Sequence, residues 1–270
     1  MLSSSLVLTT YDWPDALALV LASALAQTER PGEVIVADDG SAEATAAVVR
    51  DFLPRFAAQR VPLHHVWQPD EGFRAAAIRN RALARARGAY VLLIDGDCVL
   101  HANFVRSHLA FARPGRFVQG TRVLLGEARA ARALARGETR FRAFEWGIGN
   151  RLNALPLAWL SALVPTPRDA LQGVRSCNMG LWLADAVRVN GFDERFVGWG
   201  REDSDFVTRL VNAGVRRRKL KFGGIVYHLW HAERARDALD ANDALLADVR
   251  REGAVWAKDG MDKYEGGDAR

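Results

Sequence analysis

A pair of carboxylates follows an apolar run in the first half of the chain. Asp95 and Asp97 flank one glycine directly after Tyr90–Ile94, a run with the composition of a buried strand. Two carboxylates at this spacing can hold a divalent cation against a diphosphate, because hard cations prefer oxygen ligands. Asp-x-Asp triplets also occur in ordinary turns, where they hydrogen-bond the backbone. The residues by themselves allow a metal site or a turn.

A second cluster of acids follows Gly198-Trp199-Gly200, a segment that predicts a tight turn around an aromatic side chain. Glu202 and Asp203 then open a predicted helix, whose positive dipole end favours carboxylates. Capping of that helix would explain one or two acids but leaves the Gly-Trp-Gly segment unexplained. We therefore favour a functional turn, in which a carboxylate can take a proton from a hydroxyl.

Two histidines, His228 and His231, stand three positions apart after an apolar run near the C-terminus. Across a strand end they could converge on one metal ion, and neutral imidazole suits Mn, Fe or Zn better than Mg. A single histidine there would be explained by ordinary hydrogen bonding. The pair stands out in a chain with only six histidines, so metal binding and a structural role both stay open.

Composition narrows the class of protein. The 270 residues are 49% hydrophobic and 26% charged, which excludes disorder and fibrous repeats and predicts a soluble globular chain. The formal charge of +5 is modest and spread along the chain, so we expect no nucleic acid partner. The one dense basic run, Arg216–Lys219, is expected to be a solvated turn that leads into a strand.

Cysteine usage and the N-terminal residues bear on the compartment. Two cysteines, Cys98 and Cys177, are too few for a disulfide framework and are expected to be free thiols. The first residues lack the pattern of a secretory signal, and no apolar run is long enough to span a bilayer. We expect a mature protein that begins near Met1 and is located in the cytoplasm, with the inner face of the membrane as the alternative location.

The elements that must position these side chains alternate between strand and helix in the first hundred residues. Strands are predicted at Ser5–Thr10, Val34–Asp38, Leu63–Trp67 and Tyr90–Ile94, and helices at Pro14–Gln27, Ala42–Phe52 (with Ser41 as its cap) and Gly72–Ala86. This alternation predicts an α/β fold with a mostly parallel, doubly wound sheet. Ligands of such sheets bind at the carboxyl ends of the strands.

The alternation weakens beyond the fourth strand. Helices are predicted at His101–Ala112, Arg129–Trp146 and Glu202–Ala213, strands at Phe117–Leu125, Arg175–Leu183 and Lys219–Tyr227, and a charged helical tail from Ala232 that frays through Gly266-Gly267. The apolar segment Leu152–Val164 could be a core helix, an acceptor-side lid or a surface that lies on a membrane. A buried helix or loop is its simplest interpretation.

Five motifs in order resemble the family 2 glycosyltransferases with the GT-A fold: Thr9–Tyr11, Val36–Ser41, Arg74–Asn80, Asp95–Asp97 and Gly198–Asp203. The part from Asn190 to the two histidines resembles the β-1,4-galactosyltransferases and the bacterial chondroitin-polymerase type of transferase. The resemblance covers about Ser5 to His231 and is weakest from Gly126 to Asp169. We expect one Rossmann-like domain over 1–231, with a nucleotide-binding half (1–100), an acceptor-binding half (101–231) and a C-terminal helical tail (232–270).

The resemblance implies roles for residues of the nucleotide-binding half. Thr9 and Tyr11 would line the nucleoside pocket, and Asp39 would accept a hydrogen bond from the uracil imide. Arg74 would reach the base or the diphosphate, and Asp95 would touch the ribose or the metal. Arg79 and Asn80, on the same helix as Arg74, are weaker candidates.

It also implies roles for the later motifs. Asp97 would bind the metal directly, together with His231 and His228. Trp199 would pack on the sugars, while Glu202 and Asp203 would hold the acceptor, with Asp203 at the position of the galactosyltransferase base. The sequence departs from the animal enzymes in two places, because Arg201 replaces a common glycine and His228 stands where they carry methionine. The second departure leaves the preferred metal, Mn or Mg, open.

The resemblance thus implies an inverting, metal-dependent transfer of a sugar from a nucleoside diphosphate, UDP above all, to a hydroxyl of a glycan or glycolipid. One carboxylate would remove the acceptor proton in a single displacement. The alternative is a non-catalytic module of the same fold that binds sugar nucleotides or glycans. A retaining transferase or a nucleotidyltransferase is disfavoured by the acidic turn. Peripheral contact with a membrane stays open.

Overall fold

The computed structural model describes residues 2–232 and 237–264. Its strands are β1 (Ser4–Thr10), β2 (Glu33–Asp38), β3 (Leu63–Trp67), β4 (Tyr90–Asp95), β5 (Cys98–Leu100), β6 (Arg116–Gln119), β7 (Arg122–Leu125), β8 (Ile148–Gly149), β9 (Asn178–Trp182), β10 (Arg216–Lys219) and β11 (Val226–His228). Its α-helices are α1 (Pro14–Leu25), α2 (Glu43–Ala58), α3 (Ala75–Arg85), α4 (Phe104–Phe111), α5 (Glu127–Arg136), α6 (Leu183–Arg188), α7 (Glu202–Asn212) and α8 (Leu239–Glu252). Short 3₁₀ helices cover Arg151–Ala154, Ala158–Leu163 and Met261–Tyr264.

A seven-stranded sheet in the order β10-β6-β9-β4-β1-β2-β3 forms the centre of the fold. Strand β1 is parallel to both β2 and β4, β2 is parallel to β3, and β10 is parallel to β6. Strand β9 alone runs antiparallel to its neighbours β4 and β6. The predicted α/β fold with a mostly parallel sheet is therefore confirmed.

Both faces of this sheet are covered, which explains why its central strands are almost continuously apolar. Leu6 and Leu8 of β1 pack into a core with α1, α2 and residues of β7 and β11, whereas Val7 packs into a second core with α3 and α7. Successive side chains of a strand point to opposite faces. The carboxyl ends of β1, β2 and β4 are consequently left as one open edge between two packed layers.

A smaller sheet, in the order β5-β11-β7-β8, lies beside this edge. Strand β11 is antiparallel to β5 and parallel to β7, and its register sets His228 opposite Cys98. Since β5 begins directly after Asp97, this pairing carries the C-terminal histidines to the carboxylates of the β4 end.

Two predicted strands are each divided between the two sheets. The expected strand Phe117–Leu125 is β6 in the large sheet and β7 in the small one, because the chain turns at Gly120, where a Cβ would collide with the Asn178 side chain. The expected strand Lys219–Tyr227 is likewise replaced by β10 and β11. Arg216–Lys219 was expected as a turn and is itself the edge strand β10.

Several helix predictions are corrected in their ends. Helix α5 stops at Gly137, whose φ of +64° is left-handed, so the expected helix Arg129–Trp146 is less than half helical. Ser41 does not cap α2, because its hydroxyl accepts a hydrogen bond from the Asp12 amide at 2.9 Å. The expected starts at Gly72, His101 and Arg175 move three residues on, to α3, α4 and β9.

The segment Leu152–Val164 is not a buried helix. It forms two 3₁₀ helices with several large apolar side chains in solvent, including Trp159 at 73% and Leu163 at 76% exposure. A helix of this segment would need a long apolar stripe against the core, whereas only Ala154 and Ser161 are buried. Along residues 2–232 and 237–264, no helix combines the length and the apolarity needed to cross a bilayer.

The C-terminal segment packs back on the domain. Helix α8 lies within the predicted helical tail, and its Asn242 amide donates to the Gly200 carbonyl at 2.8 Å. Met261 is buried in the second core, and Asn190 donates to the Ala257 carbonyl at 3.0 Å. The predicted fraying at Gly266-Gly267 lies outside the described residues.

Candidate active site at the carboxyl edge of the sheet

The turn after β4 sets the two aspartates at the open edge of the large sheet. Asp95 is in register with Thr9 of β1, and the Gly96 amide donates to the Thr9 carbonyl at 2.7 Å. A Cβ at Gly96 would come within 2.9 Å of Thr10, so the close approach of this turn to β1 requires glycine. Asp95 and Asp97 therefore project from a turn that β1 holds in place.

Three side chains meet on one side of this turn. The ligand atoms of Asp97, His228 and His231 all lie within 4.8 Å of one another. The nearest Asp97 carboxylate oxygen is 3.6 Å from Nε2 of His228 and 3.3 Å from Nε2 of His231. The Leu229 amide donates to the Asp97 carbonyl at 2.9 Å, which locks the end of β11 against the turn. The structure thus brings together the three residues expected as metal ligands.

The surroundings of His231 prepare its ring for a metal. Nδ1 lies 2.8 Å from the Ala232 carbonyl oxygen, which can only accept, so Nδ1 donates. This leaves Nε2, the nitrogen that faces Asp97, with a lone pair whenever the ring is neutral. A backbone carbonyl that fixes the tautomer is a common outer contact of metal-binding histidines. The Trp13 ring packs edge-on against His231 at a centroid distance of 6.0 Å.

Burial and charge set the protonation of this cluster. Burial would raise the pKa of Asp97, but the protonated imidazoles oppose this, His231 through a hydrogen bond and both rings through their charge, and the pKa falls below its ordinary value. Burial lowers the pKa of His228, which favours its neutral form. An ionised carboxylate beside neutral imidazole is the state that binds a cation.

Arg79 joins the other acids of the site into one network. Its guanidinium lies 3.4 Å from Asp95, 3.2 Å from Glu202 and 3.6 Å from Asp203, and its Nε donates to the Thr9 hydroxyl at 3.3 Å. The side chain is only 5% exposed. Arg79 therefore links Glu202 and Asp203, the expected acceptor side of the site, directly to Asp95 on the expected nucleotide side.

The position of Arg79 on its helix is the feature of the sequence that indicates a buried site residue. It follows Ala75 by four residues and precedes Ala82 and Leu83 by three and four, so it lies on the buried face of α3. An arginine on such a face needs acidic partners. Asn80, the other weaker candidate on this helix, instead donates to the Phe192 carbonyl at 2.8 Å and to Glu194 at 2.9 Å. It therefore supports the fold away from the site.

The network strongly shifts the pKa values of two of its carboxyl groups. Burial raises the pKa of Asp95 to about 6 despite Arg79, and burial together with the charge of Asp203 raises the pKa of Glu202 to about 7. Burial opposes the charge of Arg79, but the three carboxylates outweigh it and raise its pKa. Perturbed carboxyls that share one arginine in a cleft are typical of functional sites.

The Gly-Trp-Gly turn adopts the conformation that its glycines predict. Gly198, Gly200 and Arg201 have φ values of +77°, +106° and +76°, a left-handed run. Arg201 thus holds a backbone conformation that suits glycine, which accounts for the glycine common at this position in the enzymes it resembles. An ion pair of Arg201 with Asp243 of α8 and the Asn242 contact hold the turn from outside.

Asp203 is fixed by one hydrogen bond. Its Oδ2 accepts from the Ser176 amide at 2.8 Å, while its buried Oδ1 has no hydrogen-bond partner among the described residues. A buried carboxylate oxygen without a donor is costly and calls for a functional explanation. Trp199, three residues before the start of α7, is 39% exposed at the same turn.

Two residues expected around the nucleoside, Tyr11 and Asp39, contact the segment between β3 and α3, where Arg74 lies. Asp39 accepts from Gln68 at 2.6 Å and from the Arg74 amide at 2.9 Å, and its burial raises its pKa. The Tyr11 hydroxyl donates to Asp70 at 3.0 Å. The Arg74 guanidinium pairs with Glu71 at 3.0 Å, so the structure does not bring it to the carboxylates of the sheet edge.

Comparison with known proteins assigns the family. The model described as glycosyl transferase family 2 matches residues 5–161, and that of the N-terminal domain of galactosyltransferase matches residues 162–232. The first match covers more than half of the chain, and the chain belongs to glycosyl transferase family 2.

Among curated proteins, the chain is similar to chondroitin synthase of Escherichia coli, with 28% identity over 83% of this chain and 34% of that protein. It is also similar to hyaluronan synthase of Pasteurella multocida, with 27% identity over 78% and 23% of the two chains. Validoxylamine A glucosyltransferase of Streptomyces hygroscopicus subsp. limoneus is 28% identical to this chain, over 78% of this chain and 48% of that protein. The chain spans less than half the length of each of these relatives.

Solved structures share its fold. Residues 1–349 of TarS from S. aureus in complex with UDP superpose with a TM-score of 0.63 at 18% identity, covering 91% of this chain and 64% of that one. The mannosyltransferase PcManGT from Pyrobaculum calidifontis, in complex with GDP-Man and Mn²⁺, has a TM-score of 0.57 at 18% identity, covering 90% and 61%. At this identity the likeness establishes the fold, which is GT-A as expected.

Proposed function

We propose that this chain transfers a sugar from a UDP-sugar to a hydroxyl of a glycan or glycolipid, with inversion at the anomeric carbon. One observation carries the proposal: a candidate cation site and a buried acidic network lie together at the carboxyl edge of the sheet. Asp97, His228 and His231 form the first, and Arg79 gathers Asp95, Glu202 and Asp203 into the second. Complexes of the same fold with UDP, and with GDP-Man and Mn²⁺, support this use of the edge.

The donor atoms fit a divalent metal such as Mn²⁺ or Mg²⁺. One carboxylate oxygen and two imidazole nitrogens suit Mn²⁺ in particular, and the hydrogen bond from His231 Nδ1 to Ala232 keeps Nε2 available. The charge of the site supports the same conclusion, because three carboxylates surround the single guanidinium of Arg79 and Asp97 adds a fourth nearby, and these carboxylates would repel a diphosphate. A bound divalent cation would neutralise the charge that develops on the leaving diphosphate.

Asp203 is the proposed general base. Its Oδ2 is held by the Ser176 amide, and its Oδ1, which lies 3.6 Å from the Arg79 guanidinium and has no hydrogen-bond donor among the described residues, is the atom that would accept the proton of the acceptor hydroxyl. The positive charge of Arg79 lies 3.6 Å from this carboxylate and orients it. A base fixed on one side of the sugar and a leaving group on the other favour a single displacement with inversion.

The remaining roles follow from position. Glu202 would hold the acceptor beside Asp203, and Trp199 would offer its half-exposed ring to a sugar face. Thr9, Tyr11, Asp39 and Asp95 would form the nucleoside side, with Arg74 reaching it only after release from Glu71. In this proposal residues 1–100 bind the nucleotide, residues 101–231 bind the acceptor, and 232–270 is a C-terminal tail. A cytoplasmic location at the inner face of the membrane stays a prediction.

The rival is a binding module of the same fold without turnover. Such a module has no use for a carboxylate base and a metal cluster in one cleft, so the Asp203 geometry favours the enzyme. The test is release of free UDP from a panel of UDP-sugars with Mn²⁺, with Mg²⁺ and with chelator, followed by anomeric analysis of any glycoside formed. Metal-dependent UDP release with an inverted product is expected. Binding of UDP-sugars without release under any of these conditions would favour the module.

A further inference from the structure

A band of exposed apolar side chains lies between β7 and β9. Fifteen large apolar side chains are exposed in the described part of the chain, and six of them fall within 144–163: Phe144, Trp146, Leu152, Leu157, Trp159 and Leu163. Five of the six are at least 61% exposed. Single exposed apolar residues are ordinary, but a concentration of this kind marks an interaction surface. We call residues 144–163 the apolar band.

The backbone of the apolar band is tied to the domain while its side chains face outward. Asn153 donates to the Arg122 carbonyl of β7 at 3.0 Å, and the Ser161 hydroxyl donates to the Lys221 carbonyl beyond β10. Ala154 and Ser161 are the buried residues of its two 3₁₀ helices. The large apolar side chains are thus displayed from a fixed backbone, so little ordering is needed when they are covered.

Positive charge borders the apolar band. Residues 132–168 contain six arginines and two glutamates. The six, all exposed, are Arg132, Arg136, Arg140, Arg142, Arg151 and Arg168. Both glutamates, Glu138 and Glu145, are bound to the buried Arg129 at 2.8 and 2.7 Å. Residues 132–168 therefore present arginines to solvent, while their two glutamates are paired with a buried arginine.

We propose that the apolar band docks this protein on the surface of an anionic lipid bilayer. Trp, Phe and Leu side chains beside arginines match the two contributions of interfacial binding, which are burial among acyl chains and attraction to anionic headgroups. The proposal concerns this surface alone and does not depend on the donor or on catalysis.

Two other occupants fit the same surface less well. A second copy of this chain, related by twofold symmetry, would bring six arginines against six arginines, and like charges across an interface are costly. A glycan stacks on aromatic faces, but the leucines Leu152, Leu157 and Leu163 offer a sugar neither a flat ring nor a hydrogen bond. An anionic bilayer satisfies both the charge and the leucines.

The test is cosedimentation of the full chain with two kinds of vesicle, phosphatidylcholine alone and phosphatidylcholine mixed with phosphatidylglycerol, in low and in high salt. We expect binding to the mixed vesicles that weakens in high salt, and little binding to phosphatidylcholine alone. The double substitution Trp159→Ser with Leu163→Ser should lower the partition coefficient by about tenfold or more, because burial of one such side chain changes an equilibrium by roughly that factor. Arg140→Ser with Arg142→Ser should lower it about fivefold per arginine.

The matched control is Leu53→Ser with Trp256→Ser, since these residues are 43% and 53% exposed on α2 and in the C-terminal segment. It should leave partitioning unchanged, and thermal unfolding checks that all three double variants are folded. The proposal is overturned if the unaltered chain does not bind mixed vesicles, if it binds both kinds equally, or if the control loses as much as the band variant. Sedimentation velocity without lipid adds one more refuting outcome, a dimer that Trp159→Ser with Leu163→Ser dissociates. UDP release is measured without vesicles, so either proposal can fail alone.

Discussion

Glu202 offers a direct test of the buried acidic network through stability. Its carboxylate accepts a hydrogen bond from Arg79 at 3.2 Å, and the side chain is only 10% exposed. Burial and the charge of Asp203 raise its pKa from 4.5 to about 7. At 1.36 kcal/mol per pKa unit, ionising Glu202 costs the folded state about 3 kcal/mol relative to the unfolded chain.

Replacing Glu202 with Gln removes this cost and keeps the shape. The carboxamide oxygen can still accept from Arg79, so the packing around α7 is retained. A carboxyl whose folded pKa is raised destabilises the protein as pH rises through the unfolded value, here 4.5, and the loss is complete above the folded value of about 7. The variant should therefore match the parent near pH 4 and exceed its free energy of unfolding by about 3 kcal/mol at pH 8.

The assay is urea unfolding of both proteins from pH 4 to pH 8.5 in chelator, which keeps the neighbouring cation site empty. Glu43→Gln, at a side chain that is 77% exposed in its pair with Arg50, is the control and should change stability little at any pH. A Glu202→Gln variant that is less stable than the parent at pH 8, or whose difference from it does not vary with pH, would refute the burial argument.

Three further predictions concern chemistry at the sheet edge. Asp97→Ala should abolish Mn²⁺-dependent UDP binding in calorimetry while thermal unfolding in chelator stays near that of the parent, and near-normal turnover in Mn²⁺ would remove Asp97 from the metal site. His231→Ala should weaken metal affinity by 10-fold or more, and His228→Met should shift the preference among divalent ions because a thioether replaces imidazole; unchanged metal titrations in both variants would return the histidines to a structural role. Asp203→Asn keeps an oxygen for the Ser176 amide but removes the base, so the transfer rate should fall by about 10²- to 10⁴-fold with donor affinity changed far less, and a parallel loss of donor binding would assign Asp203 to the nucleotide site.

Local pattern was sufficient for the first four strands and the edge they share. Ser4–Thr10, Glu33–Asp38, Leu63–Trp67 and Tyr90–Asp95 were expected within one residue at each end, because each is a short apolar run bounded by turn residues. Parallel pairing follows once helices separate such runs, and it brings their polar ends to one edge. The carboxylates, the histidine pair and the glycine-rich turn could accordingly be named in advance.

Two of the later strands were wrongly predicted as continuous, because the sheet that a segment joins depends on partners far away in the chain. Residues 117–125 were predicted as one strand, yet β6 pairs with β9 and β7 pairs with β11, a strand about a hundred residues further along the chain. The close contact of Gly120 with Asn178 decides where the chain leaves one sheet for the other. The exposure of the apolar band could not be predicted either, because an apolar segment has the same sequence pattern whether or not the rest of the fold covers it.

What the sequence determined by itself was the set of reactive groups and the edge of the sheet where several of them end. Only the tertiary structure decided their partnership: Arg79 and Glu202 are 123 residues apart in the chain, and their contact exists because α3 and α7 pack on the same face of the sheet. Burial there removes water from three carboxylates and one guanidinium together, which creates the raised pKa values of Asp95 and Glu202. Residue type determines which charge a side chain can carry. Its pKa is set by desolvation and by neighbouring charges, and only the folded chain supplies these.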